Sequence, residues 1–370
     1  MNEPNVSLFF ELIRSAIWNK PADESLFRDI DSSVWEEILS YAESHKVTAL
    51  LYDGVLTLPE LMRPEKKTVY KLFFHADAIE QLNVRNTQVL KELSDVYEKM
   101  GISFVLLKGH GNALCYPNPK RRPPGDIDFF FYREDDYRNA NKWAERQGCD
   151  MHTESIHHQS FEYKKVHIEN HKQVSYFQIR RYDRLLESEV QKIIEEDNFL
   201  QLDIEGIKVK ILPLEFNVFF IFQHLFHHFI HLGIGMKQFC DWTLFWNKFS
   251  LQIDKEKFIR LAESFDLLNA MKVFASAAVK YLGAKPSIFP FETDIDGKYV
   301  DLVMEDILNG GNFGFSIFKN RTFSSRIHRK WFSFKYTTGR IRKIAAIAPQ
   351  HIRTLPIIKI NKNLKLLFKK

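Results

Sequence analysis

Cysteine is scarce in this chain, with three in 370 residues. Cys115, Cys149 and Cys240 are odd in number and widely spaced, which argues against a disulfide framework or a zinc knuckle and for a reducing compartment. Long apolar runs are missing too. No window offers about 18 uninterrupted apolar residues, so no membrane-spanning helix is expected. The opening stretch MNEPNVSLFFELIRS lacks a basic region followed by an apolar core, and no signal peptide is expected. These absences predict a cytoplasmic protein. Acidic residues are absent from one whole region. From Ile307 to Lys370 there is none, against 15 lysines and arginines. The net charge of +5 therefore divides into a strongly basic tail and a first 306 residues with 37 cations against 47 acids. Such a tail seeks an anionic surface: nucleic acid, acidic phospholipid, or the acidic body of the same chain.

What is present fits a globular protein, with 45% hydrophobic and 27% charged residues. The length allows two or three domains. No internal repeat is visible. Residues 1–98 read as helices. Trp35, Ile38, Leu39, Tyr41 and Ala42 recur at helical spacing behind Ser32 or Ser33 as N-cap, and a long amphipathic stretch from about His75 is closed by Gly101. The texture then changes. SFVLLK (103–108), DIDFFFY (126–132) and IKVKIL (207–212) read as strands, with alternating runs near 160–168 and 174–179. A helix at 133–148 begins with acids and ends at Gly148. From Pro213 the chain is helical again to about residue 310. The expected class is α+β: an N-terminal helical region (1–98), a small mixed-sheet core (99–212), a helical domain (213–312) and a basic tail (313–370).

The candidate chemistry lies in LLKGHGNALCYPNPKRRPPGDIDFFF, residues 106–131. On a strand, side chains two apart share a face, with Cβ atoms about 7 Å apart. Asp126 and Asp128 therefore point one way, and Ile127, Phe129 and Phe131 the other. Two neighbouring carboxylates repel, unless a divalent cation turns the repulsion into attraction. Mg²⁺ suits them, since it is commonly held by one or two carboxylates plus substrate phosphates. A solvent-facing pair, or salt bridges to Arg121 and Arg122, is the plainer alternative. Beside the pair, backbone N–H groups of Gly109, His110, Gly111 and Asn112 can cradle phosphate oxygens, with Lys108, Arg121 and Arg122 adding positive charge.

This stretch resembles the uncharacterised nucleotidyltransferase family of the DNA polymerase β-like superfamily. Lys108, Gly109, Tyr116, Pro117, Arg121 or Arg122, Asp126 and Asp128 match its pattern in order. The likeness continues through Glu169 and His171 in VHIENHKQV, and through His224, His227, His228, Gly233, Gly235, Gln238, Asp241 and Trp242 in HLFHHFIHLGIGMKQFCDWTLF. It covers roughly residues 95–310. The resemblance implies a nucleotidyltransferase core with a nucleoside triphosphate as substrate and Mg²⁺, as one ion or two, held by Asp126, Asp128 and Glu169. It further implies that Glu169 takes the proton of the acceptor hydroxyl. Two departures stand out. His110 follows Gly109 where the superfamily has Gly or Ser, and the spacer from Gly111 to Gly125 is long.

Two pairs of histidines, His224 with His228 and His227 with His231, are four apart on one helix. That spacing can bind zinc, or the rings can be bonded internally beneath a cleft. The arrangement we favour has His171, His224 and His228 lining the substrate side, with Lys237 or Asp241 orienting the two helix histidines. The phenylalanines from Phe216 to Phe229 read as core. The tail interleaves cations with Trp331, Phe332, Phe334 and Tyr336, which suits an anionic membrane surface or a single-stranded nucleic acid. Three functions follow: a transferase with an acceptor the sequence does not name, its setting surface-polysaccharide assembly; a scaffold of the same fold docking through the tail; or a toxin-type nucleotidyltransferase.

Overall fold

Local chemistry sets most of the helix ends. Asp31 has extended backbone and accepts hydrogen bonds from the Ser33 and Val34 amides, so the cap of helix α2 (Ser32–Ser44) is Asp31 and neither serine. Helix α4 (Lys66–Lys99) ends where Gly101 takes a φ of +67°. Helix α6 (Glu134–Arg146) begins with Glu134, Asp135 and Asp136 and is followed by Gly148 at φ +78°. With α1 (Glu3–Trp18) and α3 (Thr48–Leu56), these precede or border the sheet. The computed structural model describes residues 3–152, 157–231, 233–311 and 324–354.

Among the described residues the sheet has six strands: β1 (Val105–Leu107), β2 (Ile127–Phe130), β3 (His158–Tyr163), β4 (Val166–His171), β5 (Leu200–Ile204) and β6 (Ile207–Ile211). Their order is β3-β4-β2-β1-β6-β5. β1 runs parallel to β6 and β2 parallel to β4, while the other neighbours are antiparallel. The short helix α5 (Gly109–Ala113) follows β1, and α7 (Arg180–Glu195) links the β3–β4 hairpin to β5. The run 174–179 forms no strand. It is irregular, and Gln223 holds it by donating to the Tyr176 carbonyl and accepting from Ser175.

Period-two alternation divides the sheet into two faces. Ile127, Phe129, Phe161 and Ile168 pack with Leu90, Leu93 and Tyr97 of α4 and Ala140 and Ala144 of α6 in one core. Val105, Leu107 and Phe130 face the other way. They join a larger core with α8 (Leu214–His231), α9 (Met236–Phe249), α10 (Lys255–Ser264), α11 (Leu268–Leu282) and α12 (Gly297–Gly310). The N-terminal helices share this larger core, and Trp18 donates its indole N–H to the Leu282 carbonyl. The phenylalanines of α8 are buried, as their spacing predicts.

Part of the basic tail packs on the body. Residues 312–323 and 355–370 lie outside the described residues, but α13 (Arg326–Ile344) packs back on the body. Its Arg340 is buried, paired with Asp306 and bonded to the Phe229 carbonyl. Ile344, Ile347, Ala348 and Ile352 are buried beyond it. Among the described residues no helix is long and apolar enough to cross a membrane.

One buried group makes stability depend on pH. His45 is inaccessible, and burial holds its pKa to about 4. Because the folded value lies below the unfolded one, the unfolded chain takes up the proton first as pH falls. Stability should therefore drop by about 2 kcal/mol between pH 7.5 and pH 5 from this residue. Denaturant titrations at the two pH values should show the drop in the native protein and a smaller one in His45→Gln.

Candidate active site

Register brings the charged residues together. Asp128 on β2 lies opposite Leu107 on β1 and Glu169 on β4. Across the hairpin, Glu169 lies opposite Ser160 and His171 opposite His158. Side chains paired in register share a face, so Asp128, Glu169, His171, His158 and Ser160 stand together. Asp126, just before β2, and His167 on β4 extend the row, with 3.3 Å between Asp126 Oδ1 and His167 Nδ1. This face looks toward the α8 side of the molecule.

The two aspartates are unequal. Asp128 is buried, and Lys108 Nζ and His171 Nε2 lie 3.4 and 3.0 Å from its Oδ1. Burial opposes its charge, but Lys108 and His171 outweigh that and hold its carboxyl well below the usual range. His171 Nε2 also lies 3.1 Å from Glu169 Oε2. Burial disfavours the imidazolium, yet the hydrogen bonds to Asp128 and Glu169 raise its pKa overall. Asp126 is half-exposed. Its pKa is raised by partial burial and then by the negative charges of Asp128 and Glu169.

The turn after β1 carries strain. Lys108 adopts φ +45° and ψ −132°, a region that favours glycine. This backbone reverses the chain into α5, while the ammonium reaches Asp128 and lies 5.7 Å from the Phe220 ring centroid on α8. Gly109, at φ +38°, follows, and a Cβ there would sit 3.4 Å from the Asp126 carbonyl oxygen. The Gly111 amide closes the turn by donating to the Lys108 carbonyl, and Asn112 is buried. Gly111 therefore cannot offer that amide to a phosphate without opening the turn. His110 is held neutral by burial, with its pKa pushed down to about 4, and its Nε2 has no hydrogen-bond partner.

Both arginines assigned to phosphate by the sequence are engaged elsewhere. Arg122 forms a buried bidentate pair with Asp241, each bond 2.8 Å, and Tyr116 donates to the same carboxylate. Arg121 pairs with Asp53 on α3 and Glu80 on α4. Asn83 and Asn86 of α4 donate to the Lys120, Arg122 and Gly125 carbonyls. The long spacer is thus clamped between α4 and α9, which fixes where Asp126 emerges.

His224 and His228 meet each other, Nε2 to Nε2 at 3.2 Å. Neither Lys237 nor Asp241 orients them, because Asp241 receives Arg122 and Lys237 donates to the Pro124 carbonyl. Burial and the nearby Lys108 keep His224 neutral. Burial lowers Lys237 to about 8, leaving its ammonium beside Gly125 at the edge of the carboxylate row. Among the described residues, two groups have the spacing to hold a metal ion: Asp126, His167 and Glu169, and His158, Glu169 and His171. Asp128 and the α8 histidines are in neither. Sequence reasoning missed His158, His167 and Tyr176. The Tyr176 hydroxyl feels the charges of Glu169 and Lys108.

A mixed sheet with a Lys-Gly turn beside an Asp-x-Asp strand, set among many helices, is consistent with a nucleotidyltransferase-like fold. The model of a family described as uncharacterised nucleotidyltransferase matches residues 31–283, and the chain belongs to that family. Membership supports a general role in nucleotidyl transfer. The comparison with curated proteins gives no match. Among solved structures, an antigenic nucleotidyltransferase-like protein from Paracoccidioides brasiliensis aligns over 57% of this chain and 94% of its own, with 12% identity and a TM-score of 0.32. That likeness is too loose to carry an inference.

Proposed function

We propose that the protein is a Mg²⁺-dependent nucleotidyltransferase that moves a nucleoside monophosphate from a nucleoside triphosphate to an acceptor hydroxyl or phosphate, releasing pyrophosphate. The observation that carries this reading is the register that pairs Asp128 with Glu169 beside the Lys108–Gly109 turn, with Asp126 just before the strand and close to Glu169. One oxygen of Asp126 and one of Glu169 already lie within 4.8 Å of each other. Asp128, in register with Glu169, would complete the oxygen set Mg²⁺ prefers by exchanging its contacts to Lys108 and His171 for the ion. When bound, it neutralises charge on the phosphoryl oxygens in flight. Lys108 draws the triphosphate toward the sheet, and the amides of Gly109 and His110, which have no partner within α5, meet its oxygens. Glu169 takes the acceptor proton as the acceptor oxygen bonds to the α-phosphorus. The bond from that phosphorus to the bridging oxygen then breaks, and pyrophosphate leaves with the electron pair. His171 keeps Glu169 in place.

Glu169→Gln separates binding from chemistry. It should weaken Mg²⁺-dependent nucleotide binding, since Glu169 is one of the ion's carboxylates, while pyrophosphate release at saturating nucleotide falls further, by about 10²–10⁴-fold. Pyrophosphate release would be followed against sugar phosphates, RNA ends and protein acceptors. A variant turning over at the wild-type rate would remove Glu169 from the reaction.

The setting we favour is the cytoplasmic face of a membrane during surface-polysaccharide assembly. Trp331 on α13 is 60% exposed with Lys335 Nζ 5.4 Å from its ring, which suits an anionic headgroup layer.

A further inference from the structure

We propose that the β3–β4 hairpin holds a second metal site, made by His158, Glu169 and His171 and selective for a nitrogen-preferring ion of the Zn²⁺ class. The inference rests on the nucleotidyl-transfer reading and extends it, because Glu169 becomes common to two different ions. His158 and His171 lie opposite each other on the antiparallel ladder, and Glu169 is two residues before His171 on the same face. One ligand atom from each lies within 4.8 Å of the others. Bonds of about 2.0–2.2 Å from one ion span such a set once the His171 ring, which now meets Asp128 and Glu169 through Nε2, gives up its proton and turns a nitrogen to the ion. The two rings are tilted by 38° with centroids 5.1 Å apart, so both can turn an edge toward a shared point.

The hydroxyl of Ser160 is a second, independent sign. Ser160 is 1% exposed, its Oγ has no hydrogen-bond partner, and it lies in register with Glu169 on the same face. A buried hydroxyl left without a partner is unfavourable by about 1–3 kcal/mol. A water on the ion supplies that partner, as outer-shell groups commonly do at metal sites. Three protein ligands leave a position open for that water, the pattern of a reactive rather than a purely structural site. Ligand chemistry sets the selectivity. Mg²⁺ takes oxygen donors, whereas imidazole suits Zn²⁺ and its neighbours. The hairpin therefore discriminates between the ions, while Asp126 and Asp128 provide the oxygen-rich side.

Co²⁺ reports such a site directly through its visible absorption. The full chain, stripped with chelator and held in excess Mg²⁺, should take up one Co²⁺ with ligand-field bands, displaced by Zn²⁺. His158→Ala and His158→Gln should each weaken Co²⁺ binding at least about 100-fold with unchanged circular dichroism. Equal Co²⁺ affinity in wild type and both His158 variants would overturn the proposal. So would binding lost in His228→Gln and kept in His158→Ala, which would move the site to α8. Co²⁺ binding that depends on His158 in a protein that binds no nucleotide upholds the metal site and discards the transferase reading. Nucleotide binding without His158-dependent Co²⁺ uptake does the reverse.

Discussion

Asp128→Asn should lower nucleotidyl transfer at least about a thousandfold, equivalent to about 4 kcal/mol of transition-state stabilisation. Asp128 is the most enclosed of the three carboxylates, and both Lys108 and His171 are directed at it. Asparagine keeps the shape and can still meet His171, but it removes the negative charge that a cation and a lysine share. The change relieves repulsion on Asp126 but leaves Lys108 and His171 without their buried counter-charge, so some stability should be lost with the fold retained. Pyrophosphate release would be measured on protein whose circular dichroism matches the wild type. A rate within about threefold of wild type would remove Asp128 from the chemistry.

Arg122→Ala should produce the largest loss of stability, about 3–5 kcal/mol. The change strands a buried carboxylate, since Asp241 keeps only Tyr116 as a hydrogen-bond donor among its side-chain partners. Arg121→Ala should cost less, because its partners Asp53 and Glu80 are partly exposed and can be hydrated. The double variant Arg122→Met/Asp241→Leu should recover most of the loss, as apolar pairs of similar volume often replace buried ion pairs. It should also loosen the spacer that delivers Asp126, so stability returns while transfer stays impaired. Urea denaturation of the four proteins checks the stability pattern. Destabilisation of Arg122→Ala by less than about 1 kcal/mol would contradict the account of a clamped spacer.

The parts of the fold that were legible in the sequence are those governed by local periodicity. The alternation of Asp126 and Asp128 with Ile127, Phe129 and Phe131 needs only the two-residue repeat of a strand, and the two faces divide accordingly. Gly101 and Gly148 mark helix ends because their backbone lies at positive φ. The α8 phenylalanines read as core because they recur on every side of one helix. What escaped depends on partners far away in sequence. Nothing local tells an arginine whether it will meet phosphate or Asp241, which lies 119 residues further on. The strand expected at 174–179 alternates apolar and polar residues, but side chains take its backbone groups, Gln223 the Tyr176 carbonyl and Asp183 the Phe177 amide. His158 and His167 became visible only through register. Their spacing from Glu169 was legible as alternation within β4 and across the hairpin, but no property of either histidine alone marks it as a neighbour of the carboxylates. Asp31 was overlooked as a cap because two serines follow it, although a carboxylate caps equally well.

The most direct test of the central claim is calorimetric titration of ATP, GTP, CTP and UTP into the wild type and into Asp126→Ala/Asp128→Ala, each with and without Mg²⁺. The site described here predicts binding of at least one triphosphate that requires Mg²⁺ and disappears in the double variant. Absence of binding by all four, or binding that persists unchanged without Asp126 and Asp128, would contradict it.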